Sequence, residues 1–285
     1  MKHGWLIVFL IFVVAAAFGA AQVPTFAVKT EEVRIDVLVS AGGKPLRGLS
    51  ASDFEVFDDG VLQQVDSTSF EKAPINAILA LDMSESVAGD RLDQLKNAGR
   101  LLLDRLQKDD RAALVTFSHI VTIASMLTAD PERVKTALGH AQPFGDTSLI
   151  DASFTGLVMS LSDSGRSLLI LFTDGLDTAS WLTPDVVLNT AKRSDTVVYT
   201  IAAGHLPNTT FLRNLSAYTG GMHFDIESSK DLSSVFLNIF DEFRERYLLY
   251  YSPRGISKIG WHQLEVRVKG KSATIRARPG YLIGP

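Results

Sequence analysis

The chain has 285 residues, 46% of them hydrophobic and 21% charged, and it is long enough to bury one large core or two modest ones. This composition excludes long disordered stretches, and a net charge of −4 without a basic block excludes a nucleic-acid backbone as a partner. Cysteine is absent, which excludes disulfides, thiol catalysis and cysteine-ligated metals.

The first 21 residues are typical of a secretory signal. Lys2 and His3 precede an apolar run from Trp5 to Ala17, and small residues follow up to Ala21. We therefore predict cleavage after Ala21 and an extracytoplasmic location, periplasmic or secreted. The alternative is an uncleaved membrane anchor, because residues 5–21 reach the lower limit of the roughly 17 to 25 residues that span a bilayer. This segment is the one predicted route to membrane association.

The next segment, residues 22–72, is predicted to be all-β. Residues 33–39 alternate apolar and polar side chains, and two further strands at 54–57 and 61–65 flank the turn Asp58-Asp59-Gly60. No helical period separates these strands. The segment therefore differs in class from the one that follows it.

Residues 73–245 alternate strands and helices. The predicted strands are continuous apolar runs, which are typical of a sheet covered on both faces, and the predicted helices have capping residues or apolar residues at helical spacing. The strands are expected at 78–81, 112–117, 121–125, 167–172, 196–203 and 222–226, and the helices at 91–106, from 131, from 148 or 149 to 161, from 184, at 209–218 and at 231–246. This order predicts an α/β fold with a doubly wound, mostly parallel open sheet.

The C-terminal segment, residues 246–285, is again predicted to be all-β. Alternating strands are expected at 247–252, 262–268 and 272–278. Because both ends of the chain are all-β, we expect them to pair into one small β module, with the α/β domain inserted between its halves.

Polar residues follow the first buried strand of the α/β segment. Asp82, Ser84 and Ser86 occupy alternate positions, which an extended loop points in the same direction. Loops beyond the carboxyl ends of parallel strands form a ligand crevice, and two other such loops carry Thr147 and Asp174. Two carboxylates and three hydroxyls, without nitrogen or sulfur, favour Mg²⁺, Mn²⁺ or Ca²⁺ over zinc or copper.

The motifs "DMSES", "GDTSL" and "FTDG" resemble the metal-ion-dependent adhesion site (MIDAS) of von Willebrand factor type A domains, which reads Asp-x-Ser-x-Ser, Thr and Asp in chain order. The flanking sequences "GLSASDFEVFDDG" and "YLLYYSP" resemble the bacterial secreted members. The resemblance implies that Ser84, Ser86 and Thr147 contact a metal through hydroxyls, and that Asp82 and Asp174 do so directly or through water. Neutral hydroxyls leave the charge of the cation poorly neutralised, so an incoming carboxylate is the favoured further ligand.

The predicted function is therefore non-enzymatic. A protein partner would present an Asp or Glu carboxylate to the metal, and the contact would serve protein–protein interaction or adhesion. Two alternatives stay open. The first is a magnesium-dependent phosphoryl-transfer enzyme with Asp82 as nucleophile, although such enzymes present a second carboxylate where Ser84 stands. The second is a structural component of an assembly whose metal only ties loops together.

The remaining polar residues have simpler interpretations. Four acids near the motifs are predicted to be solvent-facing or to lie beside the site without binding metal: Glu85, Asp90, Asp146 and Asp177. Five histidines show no ligand spacing and are interpreted as loop or strand residues: His119, His140, His205, His223 and His262.

Overall fold

The computed structural model describes residues 32–70, 73–161, 165–204, 206–257 and 259–284, and the predicted signal at residues 1–21 lies outside them. The N-terminal part consists of strands: β1 (Val33–Ala41), β2 (Lys44–Pro45), β3 (Phe54–Asp58), β4 (Val61–Gln63) and β5 (Ser67–Phe70).

The central part alternates strands and helices. Its elements are β6 (Ile75–Asp82), α1 (Asp90–Leu103), β7 (Arg111–Phe117), β8 (Val121–Thr128), α2 (Pro131–His140), α3 (Leu149–Ser160), β9 (Arg166–Thr173), α4 (Pro184–Arg193), β10 (Val197–Ala203), α5 (Thr210–Tyr218), β11 (His223–Ile226) and α6 (Leu232–Arg244). The C-terminal part returns to strands: β12 (Tyr247–Tyr251), β13 (Gly260–Val268), β14 (Thr274–Arg276) and β15 (Gly280–Ile283).

The central sheet has the order β11-β10-β9-β6-β7-β8, and its pairs are parallel except for the antiparallel pair of β7 and β8. Helices cover both faces. Leu79 of β6 packs into the core that includes residues of α1, α2 and α6, whereas the adjacent Ile78 packs into the core that includes residues of α3, α4 and α5. The predicted α/β class with a doubly wound, mostly parallel sheet is confirmed.

The flanks form two antiparallel sheets. One has the order β14-β1-β12-β5 with β2 beside β1, and the other has the order β15-β13-β3-β4. Each sheet joins both ends of the chain, since Ile35 pairs with Leu249 and Val56 pairs with Val266. Side chains of both sheets share one buried core, which includes Val37. The two flanks therefore form a β module of two layers.

Several element boundaries differ from the predicted ones. The first central strand, predicted at 78–81, extends over Ile75–Asp82, so Asp82 is its last residue. The helix predicted to end at 106 ends at Leu103, and the last helix ends at Arg244. The strands β2, β5 and β15 were not predicted, because they are short and "KP" and "STSF" carry little apolar alternation.

Two observations complete the fold. Asp130 caps α2, as its position before Pro131 predicts, because its Oδ1 accepts hydrogen bonds from the backbone N–H of Glu132 at 3.0 Å and of Arg133 at 3.3 Å. Among the helices formed by the described residues, none is long and apolar enough to cross a membrane.

Candidate metal centre

Asp82 ends β6 at the centre of the sheet and is fully buried. Its Oδ1 accepts the backbone N–H of Ser84 at 2.8 Å, and its Oδ2 accepts the hydroxyl of Thr173 at 2.7 Å. Burial raises the pKa of Asp82 to about 6; the nearby carboxylate of Asp174 adds to the rise, and the hydrogen bonds from Ser84 and Thr173 oppose it. The carboxylate is thus fixed in orientation while its charged form is disfavoured.

The two serines connect the loop after β6 to the loop after β9. Ser84 Oγ lies 3.0 Å from Ser86 Oγ, and Ser86 Oγ donates to Asp174 Oδ1 at 2.6 Å. Asp174 directly follows the last residue of β9, Thr173, and its side chain is buried. Neighbouring parallel strands bring these loops together because their carboxyl ends meet at one edge of the sheet.

Thr147 lies on a third loop, which backbone hydrogen bonds hold in place. Phe144 N–H donates to Met83 O at 2.8 Å, and Glu85 N–H donates to Gly145 O at 3.0 Å. A Cβ added to Gly175 would stand 3.2 Å from Thr147 Oγ1, so the hydroxyl lies against the residue that follows Asp174. The three loops therefore bring the predicted side chains of Asp82, Ser84, Ser86, Thr147 and Asp174 into one cluster.

Arg91 also reaches this cluster, and the sequence analysis missed it. Its Nη1 donates to Asp174 Oδ2, and its side chain is partly exposed. Arg91 is the second residue of α1, where the helix dipole favours acids over bases. A base in the first turn, directly after an acidic motif, is the signal in the sequence that indicates such a pair.

The donor set fits a hard divalent cation. It consists of hydroxyl and carboxylate oxygens, which Mg²⁺, Mn²⁺ and Ca²⁺ prefer. Two carboxylates supply negative charge, and the Arg91 guanidinium offsets part of it at Asp174. A cation at this cluster would therefore compete with Arg91 for Asp174.

The other acids near the motifs take different positions. Glu85, Asp90 and Asp146 are exposed. Asp177 is half-buried, and its Oδ1 accepts the backbone N–H of Ile150 at 3.2 Å and the hydroxyl of Ser180 at 2.5 Å. Asp177 therefore holds the first turn of α3, which begins two residues after Thr147.

Large apolar side chains are exposed on the same loops. Phe144 is 68% exposed, Leu176 is 42% exposed and Trp181 is 93% exposed. Trp181 is nevertheless held through its backbone, because its N–H donates to Asp151 Oδ2 at 2.9 Å. We call these three side chains the apolar rim of the cluster.

A second group of possible metal ligands, Asp58, Asp59 and His262, lies in the β module. The sequence alone predicts that His262 is a loop or strand residue, because Asp58 is distant from it along the chain and no local pattern indicates their contact. The pairing of β3 with β13 brings the three side chains together.

Comparison with known proteins agrees with this architecture. The family model of the von Willebrand factor type A domain matches residues 76–238. Inter-alpha-trypsin inhibitor heavy chain H6 of Homo sapiens is 24% identical over 209 residues, which cover 67% of this chain and 16% of that protein. Heavy chain H4 of Homo sapiens is 23% identical over 225 residues, which cover 72% of this chain and 24% of that protein. The chain thus spans a quarter or less of the length of these relatives.

Solved structures show the same fold. A von Willebrand factor type A protein from Catenulispora acidiphila superposes with a TM-score of 0.57 at 13% identity, covering 90% of this chain and 75% of that one. Proximal thread matrix protein 1 from the mussel byssus, with a zinc-occupied MIDAS motif, superposes with a TM-score of 0.56 at 18% identity, covering 65% of this chain and 49% of that one. At these identities the likeness shows the fold alone.

Proposed function

Because the chain belongs to the von Willebrand factor type A domain family, we propose that it binds a divalent cation through Asp82, Ser84, Ser86, Thr147 and Asp174, and that it uses this cation to hold a carboxylate of a partner protein. The observation that carries the proposal is the convergence of five oxygen-bearing side chains from three loops, with Ser86 Oγ 3.0 Å from Ser84 Oγ and 2.6 Å from Asp174. Mg²⁺ is the proposed ion, with Mn²⁺ and Ca²⁺ as the other hard cations of suitable chemistry.

Each residue of the cluster has a distinct task in this proposal. When bound, the cation supplies the positive charge that attracts a carboxylate. The hydroxyls of Ser84, Ser86 and Thr147 donate lone pairs without cancelling that charge, and Asp82 is held by Ser84 and Thr173 so that its oxygens keep one orientation. Asp174 exchanges its Arg91 partner for the cation.

The partner is proposed to carry an Asp or Glu beside apolar residues. The apolar rim of Phe144, Leu176 and Trp181 lies on the loops that carry Thr147 and Asp174, and exposed large apolar side chains near a charged centre are typical of protein interaction sites. An extracytoplasmic location, periplasmic or secreted, is proposed for this chain because of the predicted signal at residues 1–21.

A non-enzymatic role is favoured over phosphoryl transfer. Enzymes of that kind present a second carboxylate two residues after the nucleophile, and Ser84 stands at that position here. A cation that binds a partner is also favoured over a purely structural one, because backbone hydrogen bonds such as that from Phe144 N–H to Met83 O already hold the loops together.

Panning a phage-displayed library of random peptides in Mg²⁺ and in chelator tests the proposal. We expect peptides with Asp or Glu to be enriched on the wild type in Mg²⁺ alone. Thr147→Ala should lose this enrichment while its melting temperature in chelator stays that of the wild type, and Thr190→Ala on α4, which makes the same change in composition, should keep the enrichment. Peptides that bind equally well in chelator, or that lack carboxylates, would contradict the proposal.

A further inference from the structure

We propose that Asp58, Asp59 and His262 form a second cation site, for a divalent transition metal of the zinc class, in the β module. One ligand atom from each residue lies within 4.8 Å of the other two. A nitrogen with two carboxylate oxygens suits Zn²⁺, Co²⁺ or Mn²⁺ better than the oxygen-only cluster at the end of the central sheet does. The site is separate from that cluster in position and in ligand type.

The side chains show unused ligand atoms. His262 and Asp58 are fully buried, and among the described residues neither ring nitrogen of His262 nor Asp58 Oδ1 has a hydrogen-bond partner. Buried polar atoms are normally paired, because leaving one unpaired is costly. His262 Nδ1 lies 3.4 Å from Asp58 Oδ1 and 3.0 Å from Asp59 Oδ2. These three atoms thus converge on one point without satisfying one another.

The distances fit a chelate. Metal bonds of about 2.1 Å with angles between 90° and 109° separate ligand atoms by about 3.0 to 3.4 Å. In that arrangement each oxygen lies well off the direction of an N–H on Nδ1, so the contacts are near without being hydrogen bonds. This is the arrangement at His262 Nδ1, which is close to two carboxylates and yet unpartnered.

Neighbouring groups fix each ligand in orientation. Asp58 Oδ2 accepts the hydroxyls of Tyr251 at 2.6 Å and Tyr281 at 2.7 Å, so Oδ1 faces His262. The ring of Tyr281 also stacks on His262 with centroids 4.9 Å apart. Supporting contacts of this kind are typical of metal ligands.

Asp59 opens the site to solvent. Its side chain is 39% exposed, and its Oδ1 accepts the backbone N–H of Gln263 at 2.9 Å, which leaves Oδ2 toward His262. A metal can enter from this side and complete its coordination with water. The metal would join the β3–β4 turn to β13 and so tie the N-terminal flank to the C-terminal one, in a chain that has no cysteine for a disulfide.

Asp59→Asn is the variant that tests the site. Asp59 has a φ of 48°, and asparagine tolerates this conformation as well as aspartate does. The amide oxygen can still accept from Gln263, so the turn should fold. Asp66→Asn is the matched control, because Asp66 is also an exposed acid of the β module that accepts a backbone N–H, that of Ser252 at 2.9 Å.

The full chain is titrated with Co²⁺, followed by visible absorption, and melted with and without Zn²⁺, in the wild type and in Asp82→Ala. We expect saturable Co²⁺ bands and a Zn²⁺-induced rise of about 5 °C in both proteins and in Asp66→Asn. Asp59→Asn should weaken Co²⁺ binding by about tenfold to a hundredfold. Equal Co²⁺ affinity for Asp59→Asn and wild type, or no saturable binding to Asp82→Ala, would overturn the proposal in favour of an imidazolium held between two carboxylates.

Discussion

Asp36 and Asp82 are both buried carboxylates, but their neighbours differ in charge. Asp36 pairs with the guanidinium of Arg166 at 2.5 Å, whereas Asp82 accepts hydrogen bonds from the neutral groups of Ser84 and Thr173. Burial of a charge is costly unless an opposite charge offsets it. The buried charge of Asp82 therefore lowers the stability of the metal-free protein, and a bound cation would offset this loss.

The two residues should respond in opposite ways to the same substitution in chelator. The pKa of Asp82 is raised from 3.8 to about 6 in the folded protein. Its contribution to the free energy of unfolding is therefore fully present below pH 3.8 and is lost as the pH rises through 6. Asp82→Asn removes that loss, and at pH 7.5 we expect it to stabilise the metal-free protein by up to about 3 kcal/mol. Asp36→Asn leaves Arg166 buried without its partner charge and should destabilise by about 3 to 5 kcal/mol.

Urea unfolding at pH 7.5 and pH 4 measures both effects. The increase in unfolding free energy caused by Asp82→Asn should be smaller at pH 4, because the wild-type carboxyl group is then largely protonated in the folded state. An Asp82→Asn protein that is less stable than the wild type in chelator at pH 7.5 would show that Asp82 is not strained by its burial.

Arg91 should weaken cation binding at the cluster. Its guanidinium pairs with Asp174, so an incoming cation must displace it and is repelled by its charge. Because partly exposed pairs are worth about 0.2 to 1 kcal/mol, Arg91→Ala should tighten Mn²⁺ binding by a factor between about 1.4 and 5. Arg105→Ala removes the same charge just beyond the other end of α1 and should leave the affinity unchanged. Calorimetry at low salt measures both, and weaker binding by Arg91→Ala would instead mean that Arg91 orients Asp174.

Among the elements, the loop from Phe144 to Thr147 depends on one glycine. Gly145 has a φ of +70°, and a Cβ there would lie 2.4 Å from His119 Nδ1. The backbone conformation therefore requires glycine, and a Cβ would in addition displace the exposed His119 ring. The carbonyl oxygen of Gly145 accepts a hydrogen bond from Glu85 N–H, which links this loop to the loop that carries Ser84 and Ser86.

Gly145→Ala should therefore displace Thr147 and weaken cation binding. Gly42→Ala is the matched control, because Gly42 also has a positive φ of 56° but has nothing within 4 Å of an added Cβ. We expect both variants to lose about 1 to 2 kcal/mol of unfolding free energy from backbone strain, and Gly145→Ala alone to lose Mn²⁺ affinity. Unchanged affinity in Gly145→Ala would mean that the loop does not set the position of Thr147.

The elements also show what the sequence could predict. The strand and helix order was predictable because apolar runs and caps such as Asp130 are local signals, and with it the loops that carry Asp82, Thr147 and Asp174. The contacts of Arg91 and His262 were not predictable, because they depend on side-chain direction and on the register of β3 with β13. The pairing of the two flanks into one β module was predictable because both ends of the chain carry strand patterns, whereas its division into two sheets was not, because strand order and register leave no local pattern.

At the scale of the whole molecule, the candidate metal centre and the contacts that hold the β module lie at different ends of the central sheet. The cluster lies at the carboxyl ends of β6 and β9, whereas Arg166, which pairs with Asp36 of β1, is the first residue of β9. Between α6 and β12, the buried Arg246 donates to Tyr199 Oη at 2.9 Å and to Gly220 O at 2.8 Å. These bonds fix the junction between the helix and the module.

We therefore expect α6 to keep its place when the cluster binds a cation. The chain has no cysteine, so Lys230→Cys before α6 and Asp185→Cys on α4 provide two specific spin-label positions, both exposed. Pulsed electron paramagnetic resonance should measure the same distance between the two spin labels in Mg²⁺ and in chelator. A change of about 5 Å, one helical turn, would contradict a fixed junction and favour a switch that moves the β module.

Binding of a divalent cation by the five oxygen-bearing side chains on three loops can be measured in solution. The decisive experiment is calorimetric titration of the Asp59→Asn protein with Mg²⁺ and Mn²⁺, because that substitution weakens the second proposed site. We expect saturable binding of one cation per chain, weakened more than about tenfold by the further substitution Asp82→Asn or Thr147→Ala. No saturable binding in the Asp59→Asn protein, or equal affinity after either added substitution, would contradict it.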